Sequence, residues 1–360
     1  MKIIFYPPQS SSNDYINLIV SSLEKEAEVV NKKWHSDIQL VVGSLLTVLR
    51  YKRVVLHFNW IEDNATDESL NGRLKCYLLL IFMRLFHLIG GKLFWTMHNV
   101  KSHNATSDYQ PNFIYKMLRN IDGVVIHSKQ TIDILKNIYH YNEKKILYVP
   151  HGNFCKVMDP YISMPSEYSD SIHYLYFGSI SEYKGVTKLI EAYRLFSNNR
   201  NTKLLICGKV NKEALKEKIV SLSVTLDSVS LDLSFIDNKK LGEYISWSDV
   251  IVLPYEKESM QNSGSAIMAF SCGKPVIIPE FGYINEIKDF PFVFSYDYCD
   301  KRTQILALET SLKTTYDLEV NSRGTLKQYG IAARKFAETQ LDWKLIASKI
   351  VKKYEEAFGR

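Results

Sequence analysis

Hydrophobic residues in this chain fall in short unbroken runs, separated by longer stretches with helical spacing. Runs rich in β-branched and aromatic residues occupy Lys2–Tyr6, Arg53–Phe58, Lys92–Thr96, Gly123–Ile126 and Ile146–Val149. Between them the pattern reads as helix over Tyr15–Lys25, Leu74–Ile89, Asn112–Arg119 and Lys129–Tyr139. The rhythm stops at Asp159–Ser171, a polar segment containing proline, which is the best linker candidate. It then restarts. Strands are expected at His173–Phe177, Lys203–Cys207, Val229–Leu233, Val250–Leu253 and Val276–Ile278. Helices are expected at Val186–Phe196, Lys212–Ser221, Lys239–Trp247, Gly264–Cys272 and Ile284–Lys288. From Thr303 onward the chain reads mostly as helix, and Trp343–Phe358 is strongly amphipathic.

Near-continuous apolar strands alternating with helices imply parallel sheets covered on both faces. The expected fold class is therefore α/β, with two Rossmann-like doubly wound domains facing across a cleft. Ligands in such folds bind at the carboxyl ends of the strands. At 360 residues the chain is long for one core, which agrees with two. The expected division is 1–165, then 166–335, with a closing segment 336–360 whose helix crosses back to the first domain.

Composition narrows the class. The apolar and charged fractions, 46% and 23%, are those of a globular protein. Five cysteines at 76, 155, 207, 272 and 299 contain no Cys-x-x-Cys, which argues against a disulfide framework or zinc site and for a cytoplasmic location. Met1–Tyr6 reads as a strand rather than a leader peptide. Of the net charge of +6, roughly +5 falls within residues 1–150. There is no Lys/Arg-rich run with interleaved aromatics, so nucleic acid is not the expected partner.

The candidate chemistry lies in the second half. Strand Asp249–Leu253 ends at Pro254-Tyr255, and Asn262-Ser263-Gly264-Ser265 opens an apolar helix. A helix N-terminus presents free amides and the positive end of its dipole, which suits an anion. Lys184, in the run Gly178-Ser179-Ile180-Ser181-Glu182-Tyr183-Lys184-Gly185, can add a mobile positive charge. Two such elements in one α/β half point to a nucleotide diphosphate. Ser263 read alone is an ordinary N-cap. Gly178 and Gly208 end strands, where glycine lets a ligand approach or simply makes a turn. Lys209 either reaches the ligand or is a solvated surface lysine.

In order along the chain, several motifs resemble the nucleotide-sugar glycosyltransferases of the GT-B fold, group 1, family 4 and relatives. Phe177-Gly178-Ser179-Ile180 with Lys184-Gly185 is similar to that family's strand–glycine–lysine turn. Cys207-Gly208, Ser248–Tyr255, and Ser263-Gly264-Ser265 with Ala269–Ile277 are similar to its later donor-binding elements. Weaker matches are Asn13-Asp14-Tyr15, His57–Trp60, Thr96–Asn99 and Val149–Gly152. The resemblance implies transfer of a sugar from a nucleotide-diphosphate donor to a glycolipid or polyprenyl-diphosphate-linked oligosaccharide in polysaccharide assembly. Donor contacts are expected from Gly178, Ser179, Lys184, Gly208, Lys209, Tyr255, Asn262, Ser263, Gly264 and Ser265, and Glu286 would either hold the ribose diol or simply suit the helix N-terminus it occupies. With no Asp-x-Asp placed for a metal–diphosphate role, neither metal nor other cofactor is expected.

The departures are specific. Where the family carries two acids around this helix the chain has Met260 and Met268, and Ser179 stands where an arginine is common. Glu258, Glu280 and Glu286 are the nearby carboxylates. Rivals are therefore a catalytically silent nucleotide-sugar-binding homologue or scaffold, and an epimerase or phosphorylase on the same fold.

In the first half, His98 ends a strand, and with Lys184 it is the expected catalytic pair. His98 would either accept a proton from the acceptor hydroxyl or bond a donor-sugar hydroxyl. His57, Trp60, His127 and His151 end neighbouring strands; Trp60 would line the cleft or stack on a sugar. Leu74–Trp95 carries an apolar stretch too short to span a bilayer, broken by Arg84 and flanked by Arg73, Lys75, His87 and Lys92. It reads as a helix covering the sheet, with an exposed basic strip that touches an anionic membrane surface. The expected location is thus peripheral, on the inner face of the plasma membrane.

Overall fold

The computed structural model describes residues 1–10, 13–31, 34, 36–98, 109–163, 170–257 and 260–359. The middle of the expected linker, together with Ser11, Ser12, Asn99 and Glu258, lies outside the described residues. The chain divides into two compact units, Met1–Gly152 with Asp342–Arg360, and Asn153–Leu341.

The first unit is built from β1 (Lys2–Tyr6), α1 (Asp14–Leu23), β2 (Glu28–Val29), α2 (Asp37–Arg50), β3 (Val54–Asn59) and α3 (Leu70–Leu88). It continues through β4 (Lys92–Met97), α4 (Tyr109–Leu118), β5 (Gly123–Ile126), α5 (Gln130–Asn137) and β6 (Ile146–Tyr148). The strands form a sheet in the order β2-β1-β3-β4-β5-β6, and every described pairing is parallel. One core includes Ile4, Leu56, Trp95 and Val124 of the sheet, with Phe82, Met83 and Phe86 of α3 and Phe113 and Met117 of α4. The other includes Ile3, Phe5, Val55, Phe94 and Val125, with Ile16, Ile19 and Leu23 of α1. Successive residues of a strand point to opposite faces, so Ile3 and Ile4 serve different cores and both are fully buried.

The second unit contains α6 (Cys155–Met158), β7 (Ile172–Phe177), α7 (Val186–Phe196), β8 (Thr202–Cys207), α8 (Glu213–Ser223), β9 (Val229–Asp232) and α9 (Asn238–Trp247). There follow β10 (Val250–Val252), α10 (Gly264–Ser271), β11 (Val276–Pro279), α11 (Ile284–Ile287), β12 (Val293–Tyr296), α12 (Lys301–Asn321) and α13 (Thr325–Gln340). Its sheet runs β12-β11-β10-β7-β8-β9, again parallel. The order reverses between β7 and β10, the topological switch point at which open α/β sheets bind ligands.

Asn153 closes the second unit on itself. Its side-chain amide donates to the carbonyls of Ala337 and Leu341 at 3.0 Å each, and its backbone N–H donates to Leu341 at 2.9 Å. The last helix, α14 (Trp343–Glu356), belongs to the first unit. Trp343, Ile346, Ala347, Ile350, Val351 and Tyr354 form its buried stripe, packed in the core with α1. Asp342 caps it by accepting from the amides of Lys344 and Leu345. Four elements escaped the hydrophobic pattern: β2, α2, α6 and β12. β2 pairs over two residues only. On α2 the large apolar residues Ile38, Val42, Leu46 and Leu49 face outward rather than into the core.

Ile350 has no exposed surface. Ile350→Ala is expected to destabilise the first unit by about 2–5 kcal/mol, read as a lower denaturant midpoint. An unchanged midpoint would show that α14 does not brace that unit.

Candidate functional site

Within the second unit, the loops after β7 and β10 meet at the switch point. Gly185 has φ 69°, and a Cβ built there would lie 1.9 Å from the Pro254 carbonyl oxygen. Any side chain would collide with backbone, so glycine is what lets the two loops touch. Gly208 ends β8 against β7 in the same way, 1.8 Å from the Gly178 carbonyl oxygen. The contact is extended by the Glu256 amide, which donates to the Tyr183 carbonyl at 2.8 Å, and by the 2.8 Å ion pair of Lys188 with Glu256. From α12, the buried Gln304 amide donates to the carbonyls of Pro254 and Tyr255 at 3.1 and 3.0 Å. Gln304 left no signal in the sequence, because it reaches the loop from a distant helix.

This contact puts a cation beside a helix N-terminus. Lys184 Nζ sits 4.1 Å from the centre of the Tyr255 ring and 5.1 Å from that of Tyr183, a cation–π arrangement that holds the ammonium without neutralising it. Ser263 caps α10: its Oγ accepts from the Ala266 amide at 3.1 Å and donates to the Tyr255 hydroxyl at 3.4 Å. Being buried and so engaged, the Ser263 hydroxyl shapes the turn, and the exposed donors left here are amides of the first turn. Asn262 likewise shapes the turn, accepting from the Ser263 amide at 2.8 Å. Nothing lies within 4 Å of a Cβ built at Gly264, and Ser265 Oγ lies 3.5 Å from one built at Gly178. Gly178, Lys184, Tyr255, Asn262, Ser263, Gly264 and Ser265 are thus brought together.

The other expected residues lie differently. Ser179 is exposed, and its carbonyl accepts from the Tyr176 hydroxyl. Lys209 is exposed, and its carbonyl accepts from the Ile180 amide. Glu286 sits on the single turn of α11, whose start is tied to Gln261 by the Tyr283 amide at 3.0 Å. Glu280 is ion-paired with Lys288 at 2.8 Å. Met260 is buried.

In the first unit, the carboxyl ends of the strands carry a cluster of imidazoles around Tyr15. His98 stacks on Trp60 at 4.3 Å, and its ring lies 5.0 Å from Tyr15 and 5.3 Å from His127. His127 lies 5.6 Å from His151. The buried His57 bonds the Tyr354 hydroxyl on one side and Thr96 Oγ1, at 2.6 Å, on the other. Burial holds His57 and His151 down at about 3 and His127 at about 4, below the ordinary 6.5. Burial, then the neighbouring imidazoles, lowers His98 well below its ordinary value. Glu62 is the opposite case. It is buried, accepts from Trp95 Nε1 at 3.0 Å, and is pushed up to about 8, chiefly by burial. Among the described residues no group of three or more His, Cys, Asp or Glu is placed to hold a metal ion.

Comparison with known proteins agrees with this architecture. Residues 171–291 match the family model for glycosyl transferases group 1. The chain is 23% identical over 274 residues to a GDP-mannose:glycolipid 4-beta-D-mannosyltransferase of Xanthomonas campestris pv. campestris, covering 76% of this chain and 71% of that protein. A glycosyltransferase from Rickettsia africae superposes with TM-score 0.70 at 16% identity, covering 100% of this chain and 99% of the other. Anabaena HepE in complex with UDP and glucose gives 0.69 at 14%, covering 99% and 100%. The sucrose-phosphate synthase of Thermosynechococcus elongatus gives 0.69 at 15%, covering 99% of each. The fold is therefore GT-B. The match to the group 1 glycosyl transferases covers residues 171–291, the stretch in which the motifs similar to that family lie.

The titrations set the pH dependence of stability. The unfolded chain protonates its histidines near 6.5, whereas the folded chain protonates His57, His127 and His151 only around 3–4. The unfolded state therefore binds more protons in that interval, and stability falls as pH drops from about 6.5 towards 4. Glu62 works in the reverse sense: its contribution is lost as pH rises from 4.5 to about 8. The melting temperature is expected to fall between pH 7 and 5, and Glu62→Gln to raise it more at pH 8 than at pH 5. A flat acid profile would contradict buried neutral imidazoles.

Proposed function

We propose that this protein transfers a hexosyl group from a nucleotide-diphosphate sugar to a glycolipid or polyprenyl-diphosphate-linked oligosaccharide in cell-surface polysaccharide assembly, without a metal ion. The observation that carries the reading is the open N-terminus of α10 beside the Lys184 ammonium at the switch point. Negative charge develops on the terminal phosphate as the nucleotide leaves. Donors already aimed at that position stabilise the transition state more than the ground state. Lys184 and the amides of Gly264 and Ser265 are those donors, and Gly178 leaves room for the diphosphate. Among the remaining donor contacts, Glu286 would hold the ribose diol and Ser179, Gly208 and Lys209 would line the nucleotide. His98 would take the proton of the acceptor hydroxyl or bond a sugar hydroxyl. Further support comes from the Xanthomonas relative, whose name specifies a GDP-mannose donor and a glycolipid acceptor, and from the UDP-bound Anabaena structure.

A thermal-shift panel of UDP, GDP and ADP tests the donor half. One diphosphate is expected to raise the melting temperature. Lys184→Ala should weaken its binding roughly 10- to 100-fold and cut transfer about 10²-fold or more. Gly264→Val, whose side chain enters open space, should fold normally and block binding. No shift with any diphosphate would end the reading. Binding with no release of nucleotide from any donor–acceptor pair would favour the silent homologue.

The acceptor half of the proposal places the enzyme peripherally on the inner face of the plasma membrane. No helix among the described residues is long and apolar enough to cross a bilayer. Support for surface binding comes from two neighbouring helices. α2 exposes Ile38, Val42, Leu46 and Leu49; α3 exposes Leu74, Tyr77, Leu78, Ile81, Leu85 and Leu88. Each set follows helical spacing along one stripe. Arg50, Arg73, Lys75 and Arg84 on the same helices are exposed, which suits anionic headgroups. Leu46→Asp with Leu85→Asp should abolish co-sedimentation with phosphatidylglycerol vesicles while leaving nucleotide binding intact. Unchanged sedimentation would move the membrane contact elsewhere.

A further inference from the structure

We propose that Asn59 is a positioning residue that fixes the tautomer of His98, so that Nδ1 is the nitrogen that accepts a hydrogen from the sugar hydroxyl. The inference deepens the reading of His98 given above and rests on it. Asn59 is buried at the end of β3. Its Nδ2 donates to the Tyr6 carbonyl of the neighbouring strand at 3.2 Å. A carbonyl can only accept, so the amide nitrogen faces Tyr6 and the amide oxygen faces His98. That oxygen lies 3.0 Å from His98 Nε2 and can itself only accept. Nε2 therefore carries the hydrogen. A neutral imidazole has one N–H, which leaves the lone pair on Nδ1, and Nδ1 has no hydrogen-bond partner among the described residues.

The neighbouring histidines are set the other way. His127 Nδ1 faces the Val149 carbonyl at 2.9 Å, and its Nε2 accepts from the Tyr15 hydroxyl at 3.2 Å. His151 Nδ1 faces the Gly152 carbonyl at 2.7 Å. Both are held as Nδ1–H tautomers by backbone, whereas His98 is held as Nε2–H by a side chain placed for it. Trp60 is a second, independent sign. The residue after Asn59 adopts φ 51°, ψ 27°, a left-handed conformation unfavourable for a residue with a Cβ. From there its indole lies parallel to the His98 ring, at an interplanar angle of 14°. Backbone strain of this kind persists where the surroundings enforce it, and it gathers at functional sites. Two consecutive residues thus fix the ring, one through its edge and one through its face. Burial, then the neighbouring His127, His151 and His57, holds it neutral, the form in which a base can act.

The test is long-range ¹H–¹⁵N correlation on the full chain labelled with ¹⁵N-histidine, with the His98 signals assigned by their loss in His98→Gln. The wild type should show the Nε2–H pattern at pH 7.5. Asn59→Leu should convert it to Nδ1–H or a mixture. Asn59→Asp, which keeps size and acceptor, should retain Nε2–H and raise the pH at which His98 protonates. With GDP-mannose, UDP-glucose or ADP-glucose, whichever matches the preferred diphosphate, Asn59→Leu should lower kcat about 10²-fold with little change in donor KM. An Nδ1–H pattern in the wild type, or an unchanged pattern in Asn59→Leu, would overturn the assignment. A lost tautomer with unchanged kcat would reject the positioning role. The spectrum needs no substrate, so full transfer by His98→Gln would defeat the reading of His98 while leaving the tautomer result intact.

Discussion

The second unit depends on a contact between backbones. Where the loop after β7 meets the loop after β10, Gly185 stands so close to the Pro254 carbonyl that no side chain fits. That approach seats Lys184 over the Tyr255 ring, and the Tyr255 hydroxyl in turn accepts a hydrogen bond from the capping Ser263. Cation, aromatic ring, cap and open helix end are therefore one linked arrangement rather than four separate features. Gln304 pins the same loop from a helix that follows the sheet, by two bonds to backbone carbonyls. An arrangement linked in this way is fixed without any ligand, which is the condition for electrostatic stabilisation without reorganisation.

The first unit solves a different problem. It buries imidazoles at the ends of adjacent parallel strands, where burial makes charge unfavourable. Each is satisfied by a fixed partner: Tyr354 and Thr96 for His57, the Val149 carbonyl and Tyr15 for His127, the Gly152 carbonyl for His151. His98 differs in having an amide side chain at one nitrogen and nothing described at the other. The helix α14 is part of this arrangement, since its Tyr354 reaches His57 and its Trp343 lies 6.1 Å from His151. The return of the chain to the first unit thus completes the polar cluster as well as the apolar core.

Hydrophobic residues serve two ends on α3. Phe82, Met83 and Phe86 enter the core, while Leu78, Ile81 and Leu85 remain outside. A helix apolar on nearly all sides is ordinarily buried on all sides. Here one side faces solvent beside an equally apolar stripe of α2, and contiguous exposed apolar surface of this kind marks interaction sites.

The sequence by itself determined the α/β class, the parallel strands and the serine–glycine turn that opens α10. All three follow from local rules: apolar runs buried on both faces, helical spacing, a serine–glycine cap. The family motifs lay in the same stretches. It did not reveal β2 or β12, which are short, or α2, whose outward apolar face breaks the rule that periodicity points to the core. Nor did it reveal which polar residues meet. Gln304 on Pro254, Asn59 between Tyr6 and His98, and Tyr354 on His57 each join positions far apart in the chain. Such contacts are decided by strand order and by the directions in which strand ends project, and a linear pattern carries neither.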